Sequence, residues 1–146
     1  MITGLDHVAI AVPDLKKAIA RFLDDFGLTY EGSEDVVAAN TTTAFFPISA
    51  ATSIELVHPL EGGGPIAKYI EKNGGGIHHI CFRSNDVVAD MARLKEKGYQ
   101  LLSDEPKPGA HDTKTVFIHP KSCGGILIEI AEHTHGEHAA ANQATG

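Results

Sequence analysis

The sequence has no tryptophan, only two cysteines and no apolar run of membrane-spanning length. Each absence narrows the possibilities. A helix needs about 20 consecutive apolar residues to cross a bilayer, so no membrane partner is expected. Cys81 and Cys123 are too few for a disulfide framework, and neither belongs to a Cys-x-x-Cys pair. Together with a beginning, Met-Ile-Thr-Gly-Leu-Asp-His, that lacks the basic and apolar regions of a secretion signal, this leads to the expectation of a reducing cytoplasm. Positive charge is also scarce. Twelve Lys and Arg against 19 Asp and Glu leave a net charge of -7, whereas nucleic-acid surfaces are usually basic, so no nucleic-acid partner is expected either. What remains is an ordinary globular composition, 42% hydrophobic and 21% charged over 146 residues, enough for one domain with a sizeable core.

The chain alternates strand and helix signals. Residues 5–12 place Val8, Ile10 and Val12 on one face and His7, Ala9 and Ala11 on the other, which predicts a strand. Pro13 stops it and Asp14 is a helix N-cap. Leu15, Ala18, Ile19, Phe22, Leu23 and Phe26 then recur at helical spacing as a packing face, and Gly27 ends the helix. Residues 31–35 read as a polar turn, with Val36 and Val37 in a short strand. Residues 41–48 read as a strand that bends at Pro47, and 53–58 as another, with Ser53, Glu55 and Val57 on one face. A short helix starts at Pro65 and closes by Asn73.

A glycine run at 74–76 precedes a strand in which His79, Cys81 and Arg83 share one face. Asn85 or Asp86 caps a helix carrying Val87, Met91 and Leu94, which Gly98 ends. Strands at 99–102, 115–119 and 126–131 follow, with a loop over 104–113. Residues 132–146 hold almost no large apolar side chain and read as a disordered tail. Its His133, His135 and His138 offer incidental metal affinity at most.

A histidine in an apolar strand is either a core residue hydrogen-bonded to backbone or a metal ligand. A repeat separates the two readings. Sliding the chain by 72 residues lays His7-Val8-Ala9-Ile10 on His79-Ile80-Cys81-Phe82, Asp14 on Asp86, Ile19 on Met91 and Phe22 on Leu94. The fourth strand of each half also matches: Ser-Ile-Glu-Leu-Val at 53–57 and Leu-Ile-Glu-Ile-Ala at 127–131 each set a glutamate between large apolar residues. Glutamate is almost never fully buried without a partner. Two of them, in repeats that each begin with a matched histidine, indicate a shared divalent metal site of His7, Glu55, His79 and Glu129. Two imidazoles and two carboxylates offset a +2 charge, leave two octahedral positions open, and favour cobalt, manganese, nickel, iron or zinc over magnesium and calcium. Strand alternation selects His79 over His78.

The expected fold is therefore α+β. Two tandem βαβββ modules, at about residues 3–60 and 76–131 and linked by the short helix 65–73, form a curved, mostly antiparallel sheet around the metal.

These modules and ligands resemble the vicinal oxygen chelate superfamily, which includes glyoxalase. Within it, the stretches at 54–60, 65–73, 76–81, 108–111 and 119–129 resemble the methylmalonyl-CoA epimerase family. They include the double histidine at 78–79 and the His-Pro-Lys-Ser turn at 119–122. The resemblance covers roughly residues 3 to 131. It implies an isomerase that interconverts (2R)- and (2S)-methylmalonyl-CoA by metal-assisted removal and return of the C2 proton through an enolate. It also implies a divalent cation, cobalt first, a homodimer, and Glu129 as the catalytic base. The family pattern places a second acid/base on the strand before the second ligand. Here Thr43 stands near that place, so the second proton donor stays open: an ordered water or another residue such as Glu34. Lys107, Lys114 and Lys121 are candidates for the coenzyme A phosphates, and His58, His111 and His119 for substrate contact.

Three rivals share the superfamily. Glyoxalase I uses the same four ligands, but the Asp-Pro-Asp-Gly turn common there is replaced by His-Pro-Lys-Ser. An iron dioxygenase wants two histidines and one carboxylate, and Glu55 is one too many. A non-enzymatic binding module need not keep the four ligands that this chain retains.

Overall fold

The structure, a computed structural model, describes residues 1–134. It is a mixed α+β fold built from the element order that the repeat predicts. β1 (Ile2–Ala11), α1 (Leu15–Ala20), β2 (Ser33–Val36), β3 (Thr41–Pro47) and β4 (Ser53–Pro59) form the first series. After α2 (Gly64–Asn73) come β5 (Gly76–Ser84), α3 (Val87–Glu96), β6 (Lys107–Gly109), β7 (Thr113–Ile118) and β8 (Ile128–His133). The chain divides into two compact units, His7–His78, and Met1–Asp6 together with the chain from His79 onward.

Within His7–His78, β1 pairs with β4 in parallel, and β4 with β3 and β3 with β2 antiparallel. Asp14 caps α1 by accepting from the Lys17 amide at 3.0 Å, and a π-helical turn, Arg21–Asp25, extends it. One sheet face packs on this helix. Val12, Ala44, Phe46 and Leu56 meet Ala18, Ile19 and Phe22 there. The other face carries Ala9, Ala11 and Val57, covered by Ile66, Tyr69 and Ile70 of α2. Past α2, Gly75 has φ +111°, and a Cβ there would stand 2.9 Å from the Ala11 carbonyl oxygen. Only glycine suits both the dihedral and the approach.

The second unit repeats the plan. β5 pairs with β8 in parallel, β8 with β7 and β7 with β6 antiparallel. Asp86 is the residue that caps α3, accepting from the Ala89 amide at 3.0 Å. Val87 and Met91 pack on Val116, Ile118 and Ile130. Asp90 on this helix is fully buried and ion-paired to Arg93 Nη1 at 2.6 Å and to the Met1 amine at 3.2 Å. Ser84 also hydrogen-bonds it.

Three expectations are corrected. Residues 33–35 join Val36 in a strand rather than a turn, and Val37 starts a 3-10 turn instead of continuing it, because β3 offers a ladder that polar side chains on an edge strand accept. Residues 99–102 form only one bridge, Leu101 to Ile118, because Tyr99 and Gln100 spend their amides on Leu94 O and Ser122 Oγ. The ladder position goes instead to Lys107–Gly109. Pro108 is tolerated there because β6 pairs on one side only among the described strands. Finally, Glu132 and His133 belong to β8 rather than to a tail. Glu132 accepts from the Val87 amide at 2.8 Å, and His133 Nε2 lies 2.6 Å from Asp6 Oδ1. Residues 135–146, including His135 and His138, lie outside the described residues.

Candidate metal centre

Strand register brings the predicted ligands into two matched pairs. In the first unit Ala9 of β1 lies opposite Glu55 of β4, which in turn lies opposite Phe45 of β3. In the second, Cys81 of β5 lies opposite Glu129 of β8, which lies opposite Phe117 of β7. Ala9 and Cys81, and Phe45 and Phe117, are each 72 positions apart, the repeat offset read from the sequence. The histidine two residues before Ala9 or Cys81 therefore shares a sheet face with the glutamate of its own unit.

The side chains meet as that register requires. His7 Nδ1 lies 2.9 Å from Glu55 Oε2, and His79 Nε2 lies 3.1 Å from Glu129 Oε1. His7, His79 and Glu129 are 6–7% exposed. A carboxylate that deep needs a charged or hydrogen-bonding partner, and each glutamate has its histidine. Phe117 stands edge-on to the His79 ring at 5.1 Å and 86°, fixing the imidazole while supplying no competing donor. His78, by contrast, is half-buried and packs edge-on to Tyr69 at 4.9 Å. The alternation argument thus selected the histidine that faces a carboxylate.

Imidazole nitrogen and carboxylate oxygen converging in a water-poor environment is the donor chemistry that a divalent first-row metal takes. Each unit presents one nitrogen and one oxygen donor of that kind, His7 with Glu55 and His79 with Glu129.

Other candidates fall elsewhere. His58 Nδ1 lies 2.8 Å from the Val12 carbonyl oxygen, on the face of β4 that packs toward α1. His119 Nδ1 accepts from the Lys121 amide at 3.0 Å and so shapes the turn after β7. His111 adopts φ +57° just before β7 and Asp112 follows at +55°. Lys107, Lys114 and Lys121 are exposed, and Lys114 alternates with the buried Thr113 and Thr115, so it points away from the face that holds Glu129.

One cluster escaped the sequence reading. Asp6 is buried and accepts from Arg83 Nε at 2.8 Å and Nη2 at 2.7 Å, while His133 Nε2 stands 2.6 Å from the same oxygen. Arg83 and His133 lie on the faces of β5 and β8 that carry His79 and Glu129. The available signal was the alternation His79, Cys81, Arg83, which put an arginine on an inward face where a counter-charge was needed.

Comparison with known proteins gives the chain a family. Residues 6–117 match the family described as the glyoxalase/bleomycin resistance protein/dioxygenase superfamily. The ethylmalonyl-CoA/methylmalonyl-CoA epimerase of Cereibacter sphaeroides is 46% identical over 134 residues, covering 90% of this chain and 99% of that protein. The crystal structure of methylmalonyl-CoA epimerase from Mycobacterium tuberculosis superimposes with a TM-score of 0.88 at 36% identity, covering 94% of this chain and 93% of that one. A methylmalonyl-CoA epimerase solved in complex with methylmalonyl-CoA and ammonium gives 0.89 at 31% identity, covering 92% and 96%. This chain belongs to the glyoxalase/bleomycin resistance protein/dioxygenase superfamily and, within it, to the methylmalonyl-CoA epimerase family.

Proposed function

We propose that this chain is an isomerase that interconverts (2R)- and (2S)-methylmalonyl-CoA at a divalent metal centre made by His7, Glu55, His79 and Glu129. The observation that carries the reading is the two His–Glu contacts at repeat-matched positions, in a chain 46% identical to an epimerase of this substrate class. Glyoxalase I, the alternative with the same ligands, finds no such support among the relatives.

The chemical problem is acidity. The C2 proton between a thioester and a carboxylate is far less acidic than a glutamic acid, and each unit of pKa mismatch costs about 1.4 kcal/mol. A divalent cation bound here supplies Lewis acidity and a template for the oxygens flanking C2. Glu129 is the base. It takes the C2 proton, and the C–H electron pair moves into the thioester carbonyl. His79, braced by Phe117, holds the Glu129 carboxylate in place. The burial of this pair keeps bulk water from quenching the carbanionic carbon.

Mixed nitrogen and oxygen donors suit cobalt first, with manganese, nickel or zinc as alternatives. The protein acts as a cytoplasmic homodimer in this reading. Two cysteines without a disulfide framework support the compartment, and sedimentation tests the assembly.

The deciding experiment follows C2 of methylmalonyl-CoA in heavy water with cobalt-loaded protein. Deuterium incorporation with inversion is the expected result. Absence of exchange, with turnover of the hemithioacetal of methylglyoxal and glutathione instead, would overturn the reading in favour of glyoxalase. The same assay with ethylmalonyl-CoA measures how far the acyl pocket tolerates an extra methylene.

A further inference from the structure

The two halves of the repeat differ in their hydroxyls. Thr43 of β3 and Thr115 of β7 are repeat-matched, as are Thr41 and Thr113, and all four are buried. On β7 both hydroxyls are engaged. Thr113 donates to the Ala110 carbonyl oxygen at 2.9 Å and Thr115 to that of Lys107 at 3.3 Å. A Cβ at Gly109 would stand 2.6 Å from Thr113 Oγ1 and 2.8 Å from the Thr115 methyl, so the β6 backbone closes over them. On β3 the outcome is different. Thr43 is only 4% exposed, yet its hydroxyl has no hydrogen-bond partner among the described residues. Thr42 turns to the opposite face and donates to Asp35 Oδ1 at 2.9 Å. A hydroxyl taken out of water without a partner destabilises a fold. A ligand that accepts from Thr43 would recover that loss.

The ladder of the His7–His78 unit places that hydroxyl. Thr43 lies directly opposite Val57 of β4, and Phe45 lies opposite Glu55. Paired residues share a face, and Val57 shares its face with Glu55 two positions earlier, whose carboxylate meets His7. Thr43 is therefore the diagonal neighbour of Glu55, about 7–8 Å away by sheet geometry. One carboxylate spans that gap, with one oxygen held beside Glu55 and the other turned to Thr43. Phe45 and Val57, the nearest strand neighbours on this face, are apolar and offer no side-chain donor. Thr41 is too distant, because it lies opposite Pro59, four positions and about 13 Å along the strand from Glu55. We propose that Thr43 is a specificity-determining residue that donates a hydrogen bond to the free carboxylate of a malonyl-type thioester. The inference rests on the epimerase reading and names the group by which that site selects its substrate class. A plain acyl thioester leaves the hydroxyl unpaired, and a site built to hydrogen-bond a substrate group discriminates strongly against the analogue that lacks it.

The test compares malonyl-CoA with propionyl-CoA, which carries a methyl group in place of the carboxylate. Calorimetry measures both on cobalt-loaded wild type, T43V, T43S and T41V, and melting temperatures are taken for these and for T115V. T43V should weaken malonyl-CoA by about tenfold or more, the scale of a hydrogen bond to a charged group, and leave propionyl-CoA unchanged. It should melt no lower than wild type, because it removes an unpaired hydroxyl. T115V should melt lower, because it breaks the bond to Lys107. T43S should restore most of the malonyl-CoA affinity, and T41V should bind as wild type does. A smaller loss of malonyl-CoA in T43V, an equal loss of both thioesters, a melting drop as large as that of T115V, or the same loss in T41V overturns the proposal. So does a wild type that binds the two thioesters equally. Should T43V unfold, T43A is read by the same binding criteria. The underlying reading fails separately. If wild type shows no C2 exchange of methylmalonyl-CoA in heavy water while T43V still loses malonyl-CoA alone, the epimerase reading falls and Thr43 keeps its carboxylate.

Discussion

At the scale of single residues, the matched pairs give opposed outcomes for neighbouring side chains. His79 faces Glu129 and His78 faces Tyr69. His79→Ala should lose tightly bound metal, and His78→Ala should keep it; metal analysis after dialysis checks both, and the reverse pattern would move the site to the other face of β5. Glu129→Gln removes the base while keeping an oxygen donor. It should lower turnover by 10²–10⁴-fold, with melting close to wild type, because the amide still reaches His79. Asp90 offers a prediction with no link to catalysis. Burial pushes its carboxyl up, but hydrogen bonds from Ser84, Arg93 and the chain's amine outweigh it and hold it below its ordinary value of 3.8. A carboxyl depressed in the fold stabilises above its unfolded pKa and loses that contribution as pH falls through the folded value. Asp90→Asn should therefore cost about 3 kcal/mol at pH 7, and urea titrations should show the gap to wild type closing below about pH 4.

At the scale of elements, what was legible follows from periodicity. The helices carry stripes at 3.6 spacing and N-caps at Asp14 and Asp86, so packing and local sequence agree. The ligand strands were legible because strict alternation fixes the face of every side chain once one is known. β2 and β6 were not. Ser-Glu-Asp-Val and Lys-Pro-Gly have no strand periodicity of their own and become strands only because β3 and β7 present a free ladder edge. Pairing with a neighbouring strand overrides local propensity in both. The Asp6–Arg83–His133 cluster was hidden for another reason, sequence distance: its members are 77 and 127 residues apart from Asp6. The stability of the first unit rests on the α1 face of its sheet. Phe46 is fully buried there, with Phe22 and Tyr30 rings at 5.8 and 5.2 Å. Phe46→Ala should cost about 4 kcal/mol, read by chemical denaturation, whereas truncating the exposed Val37 should cost almost nothing.

At the scale of the whole molecule, the repeat poses a question of count. Each unit holds one matched histidine–glutamate pair, and two donors make a weak site for a divalent ion. Four donors around one ion make a strong one, because the second pair binds an ion already localised by the first. If the units share a centre, titration with cobalt should saturate at one ion per chain. His7→Ala and His79→Ala should then each abolish the tight site, although the two histidines belong to different units. Independent sites predict two weakly held ions per chain, and either variant would keep one. Thermal unfolding gives a second readout. An ion that binds only the folded arrangement adds RT ln(1 + [L]/Kd), about 2.7 kcal/mol at a hundredfold excess over Kd. A shared ion should raise the melting of both units together, in one transition, and chelation should lower both together. Separate ions should let each unit respond to the loss of its own histidine alone. Melting profiles of the two variants with and without cobalt therefore decide whether the duplicated pairs act as one centre.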